Sequence, residues 1–132
     1  MGSSNVWDGA LDRVQYEPAR QAALSLIYGL SQAGLSITPK TGVTAFIQFH
    51  DEYGRYLLAF ICNRTDLLFY VRRPAIYAMP TLPGQARERF RDVSANTADE
   101  CKIRIYALDD AENLLSWLVP LLPLPFPLKP KK

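Results

Sequence analysis

Three short apolar segments joined by two brief polar connections constrain the fold of this chain more than any other feature. The segments are residues 43–49, 56–62 and 67–72, and β-branched and aromatic side chains are frequent in each of them. Runs of this length and composition are typical of β-strands. Turn-forming residues, among them Gly54 and Asn63, stand in the connections, where the chain must reverse direction. The pattern therefore predicts an antiparallel three-stranded meander.

The apolar character of these segments is nearly continuous instead of alternating with polar residues. A strand with one face in water alternates, whereas a strand that is buried on both faces reads as a continuous apolar run. We therefore expect the sheet to be covered on at least part of both faces, by a helix on one side and by a partner subunit on the other. This expectation includes a homodimer.

Helical and strand-like patterns flank the meander. Apolar residues recur at three- and four-residue spacing over residues 17–33, which predicts an amphipathic helix. Residues 102–107 alternate polar with apolar side chains and predict a fourth strand. Asp109 and Glu112 have the spacing of a capping box at the start of a last helix, which Pro120 ends.

The chain is therefore predicted to fold as a single α+β domain over residues 1–119. Its four-stranded, mainly antiparallel sheet would be flanked by an N-terminal and a C-terminal helix. Residues 120–132 alternate proline with leucine and phenylalanine and end in lysines, a composition that favours an extended tail. Leu122, Leu124 and Phe126 would then dock on the domain or serve as apolar anchors for a partner protein. One hypothesis of function is thus an assembly or adaptor protein that acts through its tail or its sheet face.

Composition excludes several other classes of protein. The longest apolar run, residues 114–126, is interrupted by prolines, so no segment reaches the roughly 20 apolar residues of a membrane-spanning helix. The first residues lack the basic start and apolar centre of a secretory signal, and we expect a cytoplasmic protein without membrane partners. Two cysteines and a single histidine, His50, are too few for a structural zinc site. We expect no cofactor.

Residues 74–100 form a long excursion without a strong periodic pattern, because prolines and Gly84 break its first half. Connections longer than about 12–15 residues are uncommon in compact domains unless they have a function. The excursion is therefore a candidate functional surface, with a short helical turn expected over residues 85–90.

Arginines in and around this excursion suggest a nucleic-acid interface. The formal net charge of the chain is only +2, so a basic surface depends on how a few side chains cluster. A guanidinium donates two parallel hydrogen bonds to a phosphate, and rings such as Tyr70, Tyr77 and Tyr106 would stack on bases. The favoured hypothesis is a non-catalytic binding or interaction module associated with nucleic acid, although a solvated sheet face explains the same arginines. The candidate phosphate-binding residues are Arg72, Arg73, Arg87, Arg89, Arg91 and Arg104.

A metal-dependent nuclease is the enzymatic alternative. Glu100 and Lys102 flank Cys101 at the start of the fourth predicted strand, and Asp92 stands upstream of them. Two carboxylates of this kind hold Mg²⁺ in some nucleases, and a lysine helps to orient the attacking water. Surface ion pairing explains the same residues, so the favoured hypothesis assigns no catalytic residue and no metal ligand.

The order of several motifs resembles a known family. The motifs are Arg91-Asp92-Val93-Ser94 together with residues 60–64, 67–72, 102–105 and 108–112. Along residues 45–118 their order is similar to that of an uncharacterised domain family called the predicted transport protein, which in other chains is appended to nuclease-like modules. The resemblance implies strands followed by a capped helix, and it implies no established activity.

Overall fold

Six antiparallel strands form one sheet in the structure, a computed structural model that describes residues 8–95 and 100–125. The α+β class and the predicted meander are confirmed. The predicted count of four strands is wrong, because two edge strands extend the sheet. The strands are β1 (Ser36–Lys40), β2 (Phe46–His50), β3 (Tyr56–Cys62), β4 (Leu67–Val71), β5 (Val93–Ser94) and β6 (Cys101–Ile105), in the spatial order β1-β2-β3-β4-β6-β5.

Both strands that the sequence does not reveal lie at the edges of the sheet. β1 contains Pro39, and proline, which lacks an N–H group, is tolerated in edge strands. β5 consists of Val93 and Ser94 alone, which pair with Ile103 and Lys102 of β6. A two-residue strand is too short to produce a periodic pattern, so its position depends on the tertiary structure.

Five α-helices occur in the described ranges: α1 (Asp8–Leu11), α2 (Glu17–Gln32), α3 (Arg73–Ala78), α4 (Leu82–Arg89) and α5 (Leu108–Leu118). The predicted first helix corresponds to α2, which packs side by side with α5. A Cβ atom added to Gly29 would lie 2.6 Å from Cδ2 of Leu115, so a side chain at this position would require the Leu115 side chain to move. None of the described helices is both long and apolar enough to cross a bilayer.

The excursion over residues 74–100 is more regular than its sequence suggests. α3 and α4 occupy much of it, and each helix has a proline in its first turn, Pro74 in α3 and Pro83 in α4. Proline suits this position because the first N–H groups of a helix have no intrahelical acceptor. The prolines that prevent one long element therefore start two short ones.

The start of α5 differs from the predicted capping box of Asp109 and Glu112, and both of those side chains are exposed. The carboxylate of Asp110 instead accepts hydrogen bonds from the N–H groups of Tyr106 at 2.8 Å and Ala107 at 3.2 Å. The helix begins early enough that Asp110 is its third residue, from which a carboxylate reaches back to the capping position.

The chain after α5 returns to the core through a 3-10 turn, Val119–Leu121. Leu122 packs against the core and Leu124 is only 8% exposed. Burial of these side chains means that, as far as Pro125, the proline-rich segment docks on its own domain, which is one of the two alternatives that the sequence leaves open. Phe126 lies outside the described residues.

The hydrophobic core lies on one face of the sheet, between the strands and the helices. Phe49, Phe60 and Phe69 supply its largest fully buried side chains. Apolar side chains from each of the five helices join these residues in one continuous cluster. The layer of helices therefore covers this face, which we call the inner face.

A register irregularity between β2 and β3 sets which residues lie on each face. Phe49 pairs with Leu58, whereas His50 pairs with Tyr56. The extra residue in β3 allows the adjacent side chains of Leu57 and Leu58 both to be buried in the core. Tyr56 and His50 then lie together on the opposite face.

Candidate binding surface

The second face of the sheet, which we call the outer face, points away from the core. Side chains alternate along a strand, and the ladder register aligns the outward-pointing ones in rows across the sheet. One row, the apolar row, consists of Phe46, Ile61 and Leu68, with Arg104 beside it on β6. The next row consists of Gln48, Ala59, Tyr70 and Lys102.

Within residues 8–95 and 100–125, no helix packs on the apolar row. Phe46, Ile61 and Leu68 are each partly exposed. The core cluster, which contains the buried apolar side chains of every described helix, contains none of these three residues. A contiguous set of large apolar side chains is therefore left at the surface, as is typical of a binding site.

Ala59 is a small, buried residue at the centre of the outer face. Its side chain is 3% exposed although it belongs to no part of the core cluster. Its Cα partners are Gln48 on β2 and Tyr70 on β4, and these longer side chains shield it from solvent. The outer face thus has a small residue that the larger side chains beside it already cover.

Cations and aromatic rings are paired on the outer face. The guanidinium carbon of Arg72 lies 3.7 Å from the ring centroid of Tyr56, and one of its nitrogens donates to the Tyr56 carbonyl at 3.1 Å. The Lys102 amine lies 5.7 Å from the Tyr70 ring. Burial raises the pKa of Tyr56 above its usual value, and the Arg72 charge partly opposes this rise. Each of the two tyrosine rings therefore has a cation close to its face.

Arg104 is engaged with carboxylates on its own chain. One guanidinium nitrogen lies 3.0 Å from Asp66 and another lies 3.8 Å from Asp92. The hydroxyl of Tyr106 donates to Asp92 at 2.6 Å, and this hydrogen bond raises the pKa of Tyr106, because the neighbouring carboxylate favours the protonated phenol. The positive charge of Arg104 is therefore largely compensated before any ligand binds.

The six arginines predicted to bind phosphate do not form one surface. Arg72 and Arg104 lie on the outer face. Arg89 donates to Ser116 of α5 at 3.3 Å, and Arg87 is close enough to Cys101, an inner-face residue, to oppose the rise in its thiol pKa that burial causes. Arg87 and Arg89 therefore lie on the side of the sheet that the helices cover. Arg73 and Arg91 are exposed, at the start of α3 and just before β5.

The predicted nuclease residues are not brought together. The carbonyl of Asp92 accepts a hydrogen bond from the Arg104 N–H at 3.0 Å, whereas Glu100 immediately precedes β6. Glu100 and Arg104 are four residues apart, which at a rise of about 3.4 Å per residue places them roughly 14 Å apart along the strand direction. Lys102 lies over Tyr70. Over the described part of the chain, no three His, Cys, Asp or Glu side chains form a group that could hold a metal ion.

The two predicted anchors of the tail that lie within the described residues face inward. Leu122 and Leu124 contact the core, so both side chains are already used within the chain. The apolar row has the exposure that an anchor needs, and the sequence does not reveal it. In the strands of the meander, the side chains that point to one face and those that point to the other are both largely apolar. Only the position of the helices decides which face stays exposed.

Comparisons of the chain with protein-family models, curated proteins and solved structures found no match. The class of the protein is therefore defined by its fold alone, an α+β structure with helices on one face of a six-stranded antiparallel sheet. The resemblance to the predicted transport protein family remains a prediction.

Proposed function

We propose that this protein is a non-catalytic interaction module that binds another polypeptide through the outer face of its sheet. The observation that carries the proposal is the apolar row of Phe46, Ile61 and Leu68, which is partly exposed and lies outside the core cluster. Each square ångström of apolar surface removed from water contributes about 25 cal/mol. Burial of this row by a partner therefore contributes favourably to the free energy of binding.

The surroundings of the apolar row support a protein partner. Protein interfaces have an apolar and aromatic centre with a polar rim. Tyr70 lies in the next row, and Lys40 and Arg104 stand at the two ends of the apolar row, where Lys40 pairs with Phe46 and Arg104 pairs with Leu68. The outer face thus has the apolar centre and the charged rim that are typical of a protein interface.

Single-stranded nucleic acid is the second candidate ligand. The pairs of Arg72 with Tyr56 and of Lys102 with Tyr70 combine positive charge with aromatic rings on one face, as proteins that stack bases do. Two features favour the polypeptide instead. The Arg72 guanidinium already covers the Tyr56 ring, and Arg104 is paired with carboxylates.

A peptide-display selection against the purified protein tests the proposal. Peptides that bind should also bind the control variant Tyr28→Lys, which changes an exposed aromatic residue on α2, and should lose at least about tenfold in affinity for Ile61→Lys. Fluorescence anisotropy with labelled peptides measures the dissociation constants.

Two results would contradict the proposal. One is a set of peptides that bind Ile61→Lys as tightly as the unmodified protein. The other is a selection that yields no peptide while a labelled oligothymidylate binds with an affinity that falls as salt rises. That second result would identify the nucleic-acid candidate, because counterion release makes phosphate binding salt-dependent.

A further inference from the structure

We propose that the outer face binds the outer face of a second copy of this chain, around a two-fold axis that runs parallel to the strands between β3 and β4. This inference rests on the proposed interaction function and names its partner. It requires that one surface be complementary to itself, as in every two-fold dimer.

The strand order places this axis at the centre of the sheet. Three strands lie on each side of it, β1, β2 and β3 on one side and β4, β6 and β5 on the other. The rotation brings β3 over β4 of the second copy, β2 over β6, and β1 over β5. Because the axis is parallel to the strands, each row of the outer face lies over the same row of the second copy. Two sheets that pack in this aligned manner are about 10 Å apart.

The apolar row is complementary to itself under this rotation. Ile61 of one copy lies over Leu68 of the other, and the contact occurs twice. Phe46 lies over the aliphatic stem of Arg104. The most apolar part of the outer face is thus buried beside the two-fold axis.

The second row pairs a large side chain with a small one. Ala59 lies over Tyr70 of the second copy, so the smallest residue of the row faces the row's only aromatic residue in two equivalent contacts. Gln48 lies over Lys102. The alternation of small and large residues allows two sheet surfaces to interdigitate without voids.

The edges of the sheet carry opposite charges at facing positions. Lys40 on β1 is exposed, and in the dimer it lies over Asp92, whose side chain is 48% exposed. Within one chain the two residues are at opposite edges of the sheet, roughly 24 Å apart for strands about 4.8 Å from their neighbours. An interaction between them therefore requires a second copy.

Two unsatisfied polar atoms also fall at facing positions. His50 Nδ1 and Glu100 Oε1 are buried atoms without a hydrogen-bond partner among the described residues. His50 lies at the end of β2 and Glu100 immediately precedes β6, so the same rotation brings them over one another. A side-chain rotation would pair them across the interface, which removes a cost that buried unpaired polar groups carry.

The available area indicates a weak dimer. Six strands about 4.8 Å apart and about five residues long at 3.4 Å each give a face of roughly 500 Å², or about 1,000 Å² for both copies, at the lower limit for specific interfaces. We therefore expect association that depends on concentration, with a dissociation constant in the micromolar range or above.

Charge reversal at Lys40 and Asp92 tests the geometry. In Lys40→Glu and in Asp92→Lys, both edge contacts of a homodimer become repulsive. In an equimolar mixture of the two variants, the heterodimer has both contacts attractive again. Sedimentation velocity over roughly 1 μM to 1 mM should show each variant dissociating at least about tenfold more readily than the unmodified protein, and the mixture recovering to within about threefold. Glu88→Lys, an exposed position on α4, should leave association unchanged.

A second pair of variants repeats the test at the centre of the interface. Ile61→Glu and Leu68→Lys should each be monomeric, and their mixture should associate, because residue 61 of one copy lies over residue 68 of the other. This pair decides the question if Asp92→Lys fails to fold, a failure that circular dichroism would detect. An unmodified protein that stays monomeric throughout this range would overturn the inference, as would mixtures that stay monomeric. The proposed function would survive either result if selected peptides still lose affinity for Ile61→Lys.

Discussion

A guanidinium nitrogen of Arg104 lies 3.0 Å from the carboxylate of Asp66, so the last part of β6 is tied to the turn that precedes β4. Asp66 also accepts a hydrogen bond from the side-chain amide of Asn63 at 2.8 Å. The side chains of Arg104 and Asp66 are 35% and 14% exposed. The ion pair is therefore partly buried, and removing one of its partners should lower the free energy of unfolding.

We expect Arg104→Met to lower the free energy of unfolding by about 1 kcal/mol, because it leaves Asp66 in a partly buried site with only Asn63 as a partner. Urea denaturation measures the difference. Added sodium chloride should reduce it by screening the ion pair. The matched control is Arg89→Met, which removes an exposed arginine that contacts Ser116 at 3.3 Å and should cost less. Equal losses for the two variants would mean that the contact with Asp66 contributes nothing.

Gly29 and Gly84 should respond in opposite directions to replacement by alanine. Alanine at Gly29 would put its Cβ 2.6 Å from Leu115 Cδ2, whereas a Cβ at Gly84 meets nothing within 4 Å. We expect Gly29→Ala to lower the free energy of unfolding by about 1–3 kcal/mol, since overpacking outweighs the gain in helix propensity. Gly84→Ala should raise it by about 0.5–1 kcal/mol.

Thermal or urea unfolding of the two glycine variants compares these effects. The double variant Gly29→Ala with Leu115→Ala should lose less free energy of unfolding than the two single variants lose together, because the clash disappears. Full additivity would show that Gly29 does not mark the close approach of α2 and α5.

The sequence predicts those parts of the fold whose structure is determined by neighbouring residues in the chain. The meander is predicted because its strands and turns each have a strong local composition. The end of α2 is predicted at Gly34, which has φ 102°, because few other residues adopt that conformation. β1 is not predicted, since its Pro39 and polar residues are typical of a connection. Its strand conformation depends on pairing with β2.

The candidate binding surface is harder to predict because the strands carry apolar side chains on both faces, and the sequence does not show which face the helices cover. Phe60 and Ile61 are adjacent in β3 and similar in character, yet Phe60 is fully buried and Ile61 is partly exposed. Nothing local distinguishes them. The helices decide which face is inner, and their packing is a long-range property.

Asp51 should make the protein sensitive to acid. Burial alone would raise the pKa of its carboxyl, but hydrogen bonds from Arg55 and from the Tyr53 N–H outweigh burial and lower it from 3.8. A lowered pKa in the folded state contributes stability that is present above the unfolded value and is lost as the pH falls through the folded value. We expect Asp51→Asn to cost about 1 kcal/mol at neutral pH.

The cost of Asp51→Asn should shrink as the pH falls below 3.8, because the unmodified carboxyl is then losing its charge as well. Urea unfolding at several pH values measures this convergence. Glu52→Gln, at an exposed neighbouring position, is the control and should change stability little at any pH. A difference between Asp51→Asn and the unmodified protein that is independent of pH would contradict the assignment.

Leu124 separates a structural role of the proline-rich segment from a role in binding. Its side chain is 8% exposed and belongs to the core cluster, so Leu124→Ala should lower the free energy of unfolding by about 2 kcal/mol. Leu108→Ala, at a position that is 41% exposed, should cost less. The folded Leu124→Ala protein should retain the peptide affinity and the self-association of the unmodified chain, because the outer face is unchanged. A variant of normal stability that has lost either property would show that the segment acts as a partner anchor, as its sequence suggests.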